Sequence, residues 1–264
     1  MDNSNLNLEN RIDFISALEL KDVNKEIADL FKGKEDLIKA VSDDQNPSAK
    51  IDSGSVVSFV SNVSDYHKNA VLNTTLLAQL NSDKLFDRFN KDQVMDWYKN
   101  YQKVLSICGW TLQNFQFQNF EASGSSFSIN TAIIDILSAV IPGDEVKIVV
   151  AALNSLSNLK NDDPWYKVWD VNTHTTNGGN FQIVPVRDNN EEINTLSMTL
   201  SSYVFETTES TLRFLWTDYK SSDTKMKYSA QTTTLNENVY MRLENTIIKK
   251  LGDRAIQQIG DLDI

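Results

Sequence analysis

The chain has 264 residues and a formal charge of −11 at neutral pH, from 36 acidic and 25 basic side chains. This excess of negative charge opposes binding to nucleic-acid phosphates and to anionic lipid through a general electrostatic field, so we expect no nucleic-acid partner. Hydrophobic residues make up 41% of the chain, which excludes wholesale disorder and allows a substantial core.

The N-terminal segment and the lengths of the apolar runs bear on the localisation of the protein. It has no basic region followed by an apolar stretch, so we expect no Sec signal peptide. No apolar run reaches the roughly 18 residues that a membrane-spanning helix needs. We therefore expect a protein that is cytoplasmic as synthesised, with a leaderless route if it is exported.

Helices separated by one polar linker are predicted for the first part of the chain. Apolar residues at helical spacing predict one or two polar amphipathic helices within residues 8–41. Residues 42–55 are rich in turn formers and predict an exposed linker, so that residues 1–55 form an N-terminal arm. Further helices are predicted at Val56–Leu80 and Asp92–Trp110.

The most apolar section follows one predicted strand within residues 111–128. Residues 129–159 predict a helical hairpin interrupted at Pro142 and Gly143, which completes a helical domain at residues 56–160. Two interpretations stay open, a hairpin buried in the core and a concealed hairpin that becomes membrane-active. For the second, the candidate residues are Ile133, Ile136, Leu137, Val140, Val149 and Leu153.

The last part of the chain, residues 161–264, predicts an antiparallel β-domain. Five strands are expected as a meander, at 165–175, 181–187, 193–205, 212–220 and 224–235. A change in the parity of the apolar residues near Ser201 and Ser202 predicts a β-bulge. A helix from Glu237 to Leu251, capped by Asn236, closes the domain. The predicted fold class is α+β, with a helical region before the meander.

Candidate site residues are few because histidine, cysteine and glycine are scarce. Cys108 is the single cysteine, which excludes an intrachain disulfide and a zinc site of several thiolates. His67 is expected on a polar helix surface, and His174 could act with Asp170 as a metal or acid–base pair. No catalytic, metal or cofactor site is predicted, since neither common nucleotide-binding glycine pattern occurs. A candidate ligand face on the sheet comprises Trp165, Trp169, Trp216 and His174.

Three classes of function follow from these features. The first is a non-enzymatic interaction or assembly protein, which would bind a protein partner or itself through its β-domain. The second is a soluble toxin-like protein that becomes membrane-active through the hairpin at 129–159, with membrane lipid as its partner. The helical bundle, apolar hairpin and β-domain together resemble bacterial pore-forming toxins in architecture. The third is a hydrolase whose site assembles from dispersed Asp, Glu and His residues.

Overall fold

The computed structural model describes residues 7–31, 46–112, 116–189, 195–209 and 213–264. Helices and strands both occur throughout these ranges, which confirms the predicted mixed α+β content. The helices are α1 (Leu8–Ala17), α2 (Lys25–Leu30), α3 (Asp65–Leu85), α4 (Val94–Ile107), α5 (Ile129–Ser138), α6 (Gly143–Asn158), α7 (Pro164–Thr173), α8 (Glu237–Leu251) and α9 (Arg254–Gln258). The strands are β1 (Ser48–Asp52), β2 (Ser55–Phe59), β3 (Gln118–Asn119), β4 (Ser126–Ser128), β5 (His174–Thr175), β6 (Gly178–Asn189), β7 (Thr195–Thr207), β8 (Asp218–Lys220), β9 (Thr224–Thr234) and β10 (Ile259–Leu262).

One sheet contains most of the described strands, in the order β10-β1-β2-β6-β7-β9-β3, with β5 paired to β6. Strands β6, β7 and β9 are 12, 13 and 11 residues long and form a three-stranded antiparallel meander, whereas five strands are predicted for this part of the chain. Strand β2 pairs with β6 in parallel. The predicted sheet is antiparallel throughout and has no such pair. Strands β1 and β2 lie on either side of the predicted boundary at residue 55, and both belong to this sheet.

Helices cover both faces of the sheet. On the first face, α1, α3, α4 and α8 pack against apolar residues of β6 and β7 such as Val184 and Met198. On the second face, α5, α6 and α7 pack against residues of opposite parity in the same strands, such as Ile183 and Phe205. A sheet buried on both faces needs apolar residues at both parities. Helices therefore cover both faces of the central strands β6 and β7, whereas β9 keeps exposed residues.

The predicted bulge near Ser201 is wrong. The β7–β9 register runs without an inserted residue from Ser197 opposite Thr234 to Thr207 opposite Thr224. The parity changes because the first half of β7 buries its apolar side chains on the first face and the second half buries them on the second face. Two-sided burial, and not a bulge, accounts for the pattern.

The predicted strand at residues 165–175 is also wrong, because most of it is helix α7. Asp163 caps this helix by accepting hydrogen bonds from the backbone N–H groups of Trp165 and Tyr166, and Pro164 occupies the first turn. The buried residues Trp165, Val168 and Trp169 follow helical spacing. The strands predicted at 111–128 and 212–220 are reduced to β3, β4, β8 and a 3₁₀ turn at Phe214–Trp216.

Two local predictions are confirmed. Residues 129–159 form two helices in contact, α5 and α6, termed the apolar hairpin below, with the break at Pro142. Helix α8 begins and ends where predicted, and the Asn236 side chain accepts a hydrogen bond from the backbone N–H of Val239. Both elements have strong local periodicity and end signals, so the sequence alone is sufficient to locate them.

The predicted exposed linker at residues 42–55 contains β1 and a buried turn in its described part, while residues 42–45 lie outside the described residues. Asp52, Ser53 and Ser55 are 0%, 1% and 0% exposed. The turn lies between α3, α7 and α9, so its polar side chains are interior hydrogen-bonding groups and not solvent-exposed turn formers. The expectation of an exposed linker is therefore wrong for residues 48–55.

Candidate functional site

The candidate ligand face does not form one exposed surface. Trp165 and Trp169 are buried on α7, where Trp165 packs on Phe31 with ring centroids 4.6 Å apart and Trp169 stacks on Phe214 at 6.3 Å. Trp216 lies half-buried in the 3₁₀ turn. Because α7 is a helix, the expected alternation of these tryptophans on a strand does not occur. Two of the three tryptophans thus belong to the core.

His174 lies where α7 joins β5 and is close to the expected partner. Its Nδ1 is 3.5 Å from Asp170 Oδ1, and its ring is 4.7 Å from that of Phe214. Burial raises the pKa of Asp170, and the nearby charges of His174 and Arg213 oppose this rise. Within the described residues no group of three His, Cys, Asp or Glu side chains is arranged to hold a metal ion.

His67 is buried, so the expected surface position is wrong. Its Nδ1 lies 2.8 Å from Asp188 Oδ2 and its Nε2 lies 3.3 Å from Glu237 Oε1. These contacts join the start of α3 to β6 and α8. The carboxylates can orient the imidazole, and the hydrogen-bonding contacts of its two ring nitrogens within the described residues are to acidic side chains and not to a nucleophile that it could activate. The partners are distant in sequence, and no local pattern indicates them.

The apolar hairpin presents most of its candidate residues to the sheet. Ile133, Leu137, Val149 and Leu153 are at most 1% exposed, and Ile136 is 7% exposed. They pack with Phe181, Ile183 and Phe205 of the second sheet face. Val140 differs because it lies at the tip between the two helices and is 42% exposed.

Helix α6 has a broad apolar side and a narrower polar side. Between Val146 and Asn158 its single charged residue is Lys147. Val149 and Leu153 are buried on the inner side, and Ile148 and Val150 are half-buried on the two flanks. The outer side is exposed and polar, with Lys147 and Asn154. This is the pattern of an amphipathic helix whose apolar stripe faces the core. Here it forms an outer layer with one side partly open to solvent.

The tip of the hairpin is uncharged. No Asp, Glu, Lys or Arg occurs between Asp135 and Asp144. Ala139, Val140 and Gly143 are exposed there. A short apolar tip without charge can enter a lipid interface without desolvating an ionised group.

Two arginine contacts hold α6 to its surroundings. Glu145 Oε1 lies 3.1 Å from Arg187 Nη1 on β6, and burial raises the pKa of Glu145 while Arg187 opposes that rise. At the other end, Arg213 donates to the carbonyl oxygens of Ser157 and Leu159 at 2.8 and 2.6 Å. Apart from these contacts, α6 is held chiefly by apolar packing, which is non-directional.

A cavity of about 640 Å³ lies where α5 meets the outer part of the sheet. It is lined by Ile136, Ala139 and Val140 of the hairpin and by Tyr228 and Ala230 of β9. The hairpin therefore leaves part of β9 uncovered, and its tip borders open space on one side.

No helix in the described ranges combines the length and the apolarity required to cross a bilayer.

Comparison with known proteins gives distant likenesses only. No protein-family model matches the chain, and no curated protein matches it. Among solved structures, one described as "DELTA-ENDOTOXIN" has a TM-score of 0.39 and 11% identity, covering 75% of this chain and 86% of that chain. Another, described as "Structure of the Evf virulence factor", has a TM-score of 0.39 and 10% identity, covering 76% of this chain and 82% of that chain. Because both TM-scores are low, these likenesses establish neither a shared fold nor a shared activity.

Proposed function

We propose that this protein acts on lipid membranes, and that the apolar hairpin leaves the sheet and enters the lipid interface. The observation that carries the proposal is the tip of the hairpin, where no charged residue occurs between Asp135 and Asp144 and Val140 is 42% exposed. Behind the tip, α6 packs its apolar side on the sheet and exposes polar residues such as Lys147 and Asn154. Lipid would bury the exposed tip, and the apolar side of α6 would then face the acyl region with its polar side toward water.

The lengths of the two helices favour an interfacial position. Helix α6 has 16 residues and α5 has 10. At about 1.5 Å per residue these correspond to roughly 24 and 15 Å, shorter than the roughly 30 Å hydrocarbon core of a bilayer. Helices of this size and apolarity lie along the interface with their apolar sides in the acyl region. We therefore expect shallow insertion of the hairpin.

The cost of release is the exposure of apolar surface on the second face of the sheet. Phe181, Ile183 and Phe205 would lose their cover together with the inner side of the hairpin. In water this loss is unfavourable at about 25 cal/mol per Å² of apolar area. A bilayer removes the part of this cost that comes from the apolar surface of the hairpin, because that surface then contacts lipid. Release of the hairpin is therefore expected at membranes and not in free solution.

The test is to place a charge on the half-buried flanks of α6, at the border of its apolar side. Ile148→Asp and Val150→Asp should leave a folded protein and reduce both vesicle binding by flotation and dye release at least tenfold, since an aspartate in a helix entering lipid costs about 2.5 kcal/mol or more. Ile248→Asp on α8 is the matched control, because Ile248 is 48% exposed and lies outside the hairpin. Urea unfolding of all three variants checks that they are folded.

An equal loss of vesicle binding and dye release in all three variants would show that the added negative charge causes the loss, whatever its position, and would count against a special role of α6. Unchanged vesicle binding by folded Ile148→Asp and Val150→Asp would overturn the proposal. Failure of the unaltered protein to bind vesicles of any composition tested would overturn it as well.

Binding to a protein partner or to a second copy is the second candidate function. Met241 and Ile248 lie on one side of α8 and are 58% and 48% exposed, although α8 is otherwise amphipathic. Exposed apolar side chains on one helical side are typical of contact surfaces. Light scattering over a range of protein concentrations should then show a defined oligomer that Met241→Lys dissociates. A monomer at every concentration would count against self-association.

A further inference from the structure

The turn between β1 and β2 is enclosed by four other elements. The backbone N–H of Gly54 donates to Gln79 Oε1 of α3 at 3.0 Å, and that of Ser53 donates to the carbonyl oxygen of Gln258 in α9 at 2.8 Å. The carbonyl oxygen of Gly54 accepts from the N–H of Gln182 in β6 at 3.1 Å. A Cβ at Gly54 would lie 2.8 Å from the backbone oxygen of Asn172 in α7. The turn therefore fixes the relative positions of both helical layers.

The Asp52 carboxyl group is fully buried at the start of this turn. Its Oδ2 accepts a hydrogen bond from Thr75 Oγ1 at 2.5 Å and lies 3.5 Å from Gln79 Nε2. Its Oδ1 has no hydrogen-bond partner among the described residues. A protonated carboxyl group needs fewer partners than a carboxylate, so this environment suits the neutral acid.

The charges around Asp52 do not compensate a carboxylate. Arg88 is the nearby cation, but its Nε and Nη2 donate to Asp83 at 2.7 and 2.9 Å. Helix α4 contributes two phenols, Tyr98 and Tyr101, whose pKa values are raised by burial. The groups that face the turn from β6, α7 and α9 are neutral: Gln182, the Asn172 backbone and Gln258. Burial accordingly raises the pKa of Asp52 to about 8, against the Thr75 hydrogen bond and the charge of Arg88.

We propose that the buried turn is a protonation-dependent contact, in which the neutral Asp52 carboxyl group holds the β1–β2 hairpin against α3 and opening of the turn releases the proton. Strands β1 and β2 also carry part of the surface beneath α6. Ala49, Ile51 and Val56 pack in the same cluster as Val149 and Leu153 of α6. Opening of the turn would therefore loosen α6, so the contact would regulate the hairpin; this last step rests on the proposed membrane function.

The direction of the pH effect follows from linkage. In the closed state the pKa of Asp52 is about 8, and after opening it returns toward the ordinary value of about 4 for an exposed aspartate. The opening equilibrium constant should therefore rise about tenfold per pH unit between pH 4 and pH 8 and become constant above pH 8. The contact is strongest in acid, weakens steadily through neutral pH and is weakest above pH 8.

Hydrogen exchange by mass spectrometry, compared between the unaltered protein and Asp52→Asn at the same pH, tests the contact without membranes. Asparagine keeps the shape of the acid and cannot ionise. Intrinsic exchange rates cancel in the comparison, so the ratio of opening constants in β1, β2 and α6 should rise about tenfold per unit between pH 5 and pH 7. Asp92→Asn, at an exposed position, should behave like the unaltered protein.

A ratio that does not change with pH would overturn the proposal. If Asp52→Asn does not fold, the carboxyl carbon of Asp52 can be titrated by NMR in the unaltered protein. A midpoint near 4 in place of 8 would also overturn the proposal.

Dye release from vesicles at pH 5 and pH 8 separates this proposal from the membrane proposal. Regulation predicts that the unaltered protein releases more dye at pH 8 than at pH 5, and that Asp52→Asn largely removes the difference. A pH-dependent exchange ratio without dye release at any pH would leave the contact in place and overturn the membrane function. If the unaltered protein and Asp52→Asn release dye with the same pH profile, the regulation by Asp52 is overturned and the membrane function stands.

Discussion

Helices α3 and α6 cover opposite faces of the same sheet and are held there by different kinds of interaction. Helix α3 buries polar side chains whose hydrogen-bond partners lie in other elements, among them Gln79 with the β1–β2 turn and Thr74 with Trp110. Helix α6 packs an apolar side on the sheet, exposes a polar side to solvent, and has two arginine contacts near its ends. Hydrogen bonds require particular partners, whereas apolar burial accepts any apolar surroundings. Under the proposed membrane function, α6 and not α3 is therefore the helix expected to leave the sheet.

The largest effect is expected from removing the buried amide of α3. Gln79→Leu leaves the Gly54 N–H and the Asp52 carbonyl oxygen without their hydrogen bonds to Gln79. At about 1–3 kcal/mol for each buried group left unpaired, we expect the free energy of unfolding in urea to fall by about 3 kcal/mol. Asn154→Leu, at an exposed amide of α6, should change it by no more than about 0.5 kcal/mol. Equal losses in the two variants would remove the distinction between the helices.

An intermediate effect is expected from breaking the contact between α6 and β6. Arg187→Met leaves the buried Glu145 without its cation. Because Arg187 is 37% exposed, we expect a loss of about 1–2 kcal/mol, less than for a fully buried pair. Adding Glu145→Gln should recover part of this loss. The single variant should also release vesicle dye faster than the unaltered protein, and slower release would contradict a restraining role for the pair.

The smallest effect on stability, but a clear spectral one, is expected from labels at two exposed positions. A polarity-sensitive fluorophore on Val140→Cys, at the hairpin tip, should shift to shorter wavelength with vesicles. The same fluorophore on Leu85→Cys, at the end of α3, should not shift. Cys108 should stay unlabelled, because it is buried and its thiol pKa is raised to about 12. A shift at both positions would indicate general adsorption or unfolding.

Parts of the fold could be predicted because their signals are local. Helix α8 has its cap, its apolar periodicity and its terminal glycine within one short segment, and the apolar hairpin has its break at Pro142 and Gly143. Alternating large residues at 165–171 predict a strand where α7 forms, although Asp163 and Pro164 also match the start of a helix. The sequence therefore contained evidence for both structures at this segment.

The buried turn and the position of His67 could not be predicted in the same way. Asp52, Ser53 and Gly54 have the composition of a surface turn, and their interior partners are the side chains of Thr75 and Gln79 and the backbone groups of Gln182 and Gln258. These partners lie far away along the chain and carry no pattern of their own. Of the candidate site, the hairpin was predicted from its apolarity, whereas the contacts that hold it required the structure.

The pairing of β1 with β10 has a consequence for biosynthesis. Asp52 lies opposite Ile259, so one edge of β1 stays unpaired until β10 has been synthesised, roughly 200 residues later. At about 5–20 residues per second, that edge is open for roughly 10 to 40 s on each ribosome. An unpaired strand edge can pair with another nascent chain. We therefore expect expression of intact protein to respond to growth temperature and to chaperone supply more strongly than the stability of the finished fold would suggest.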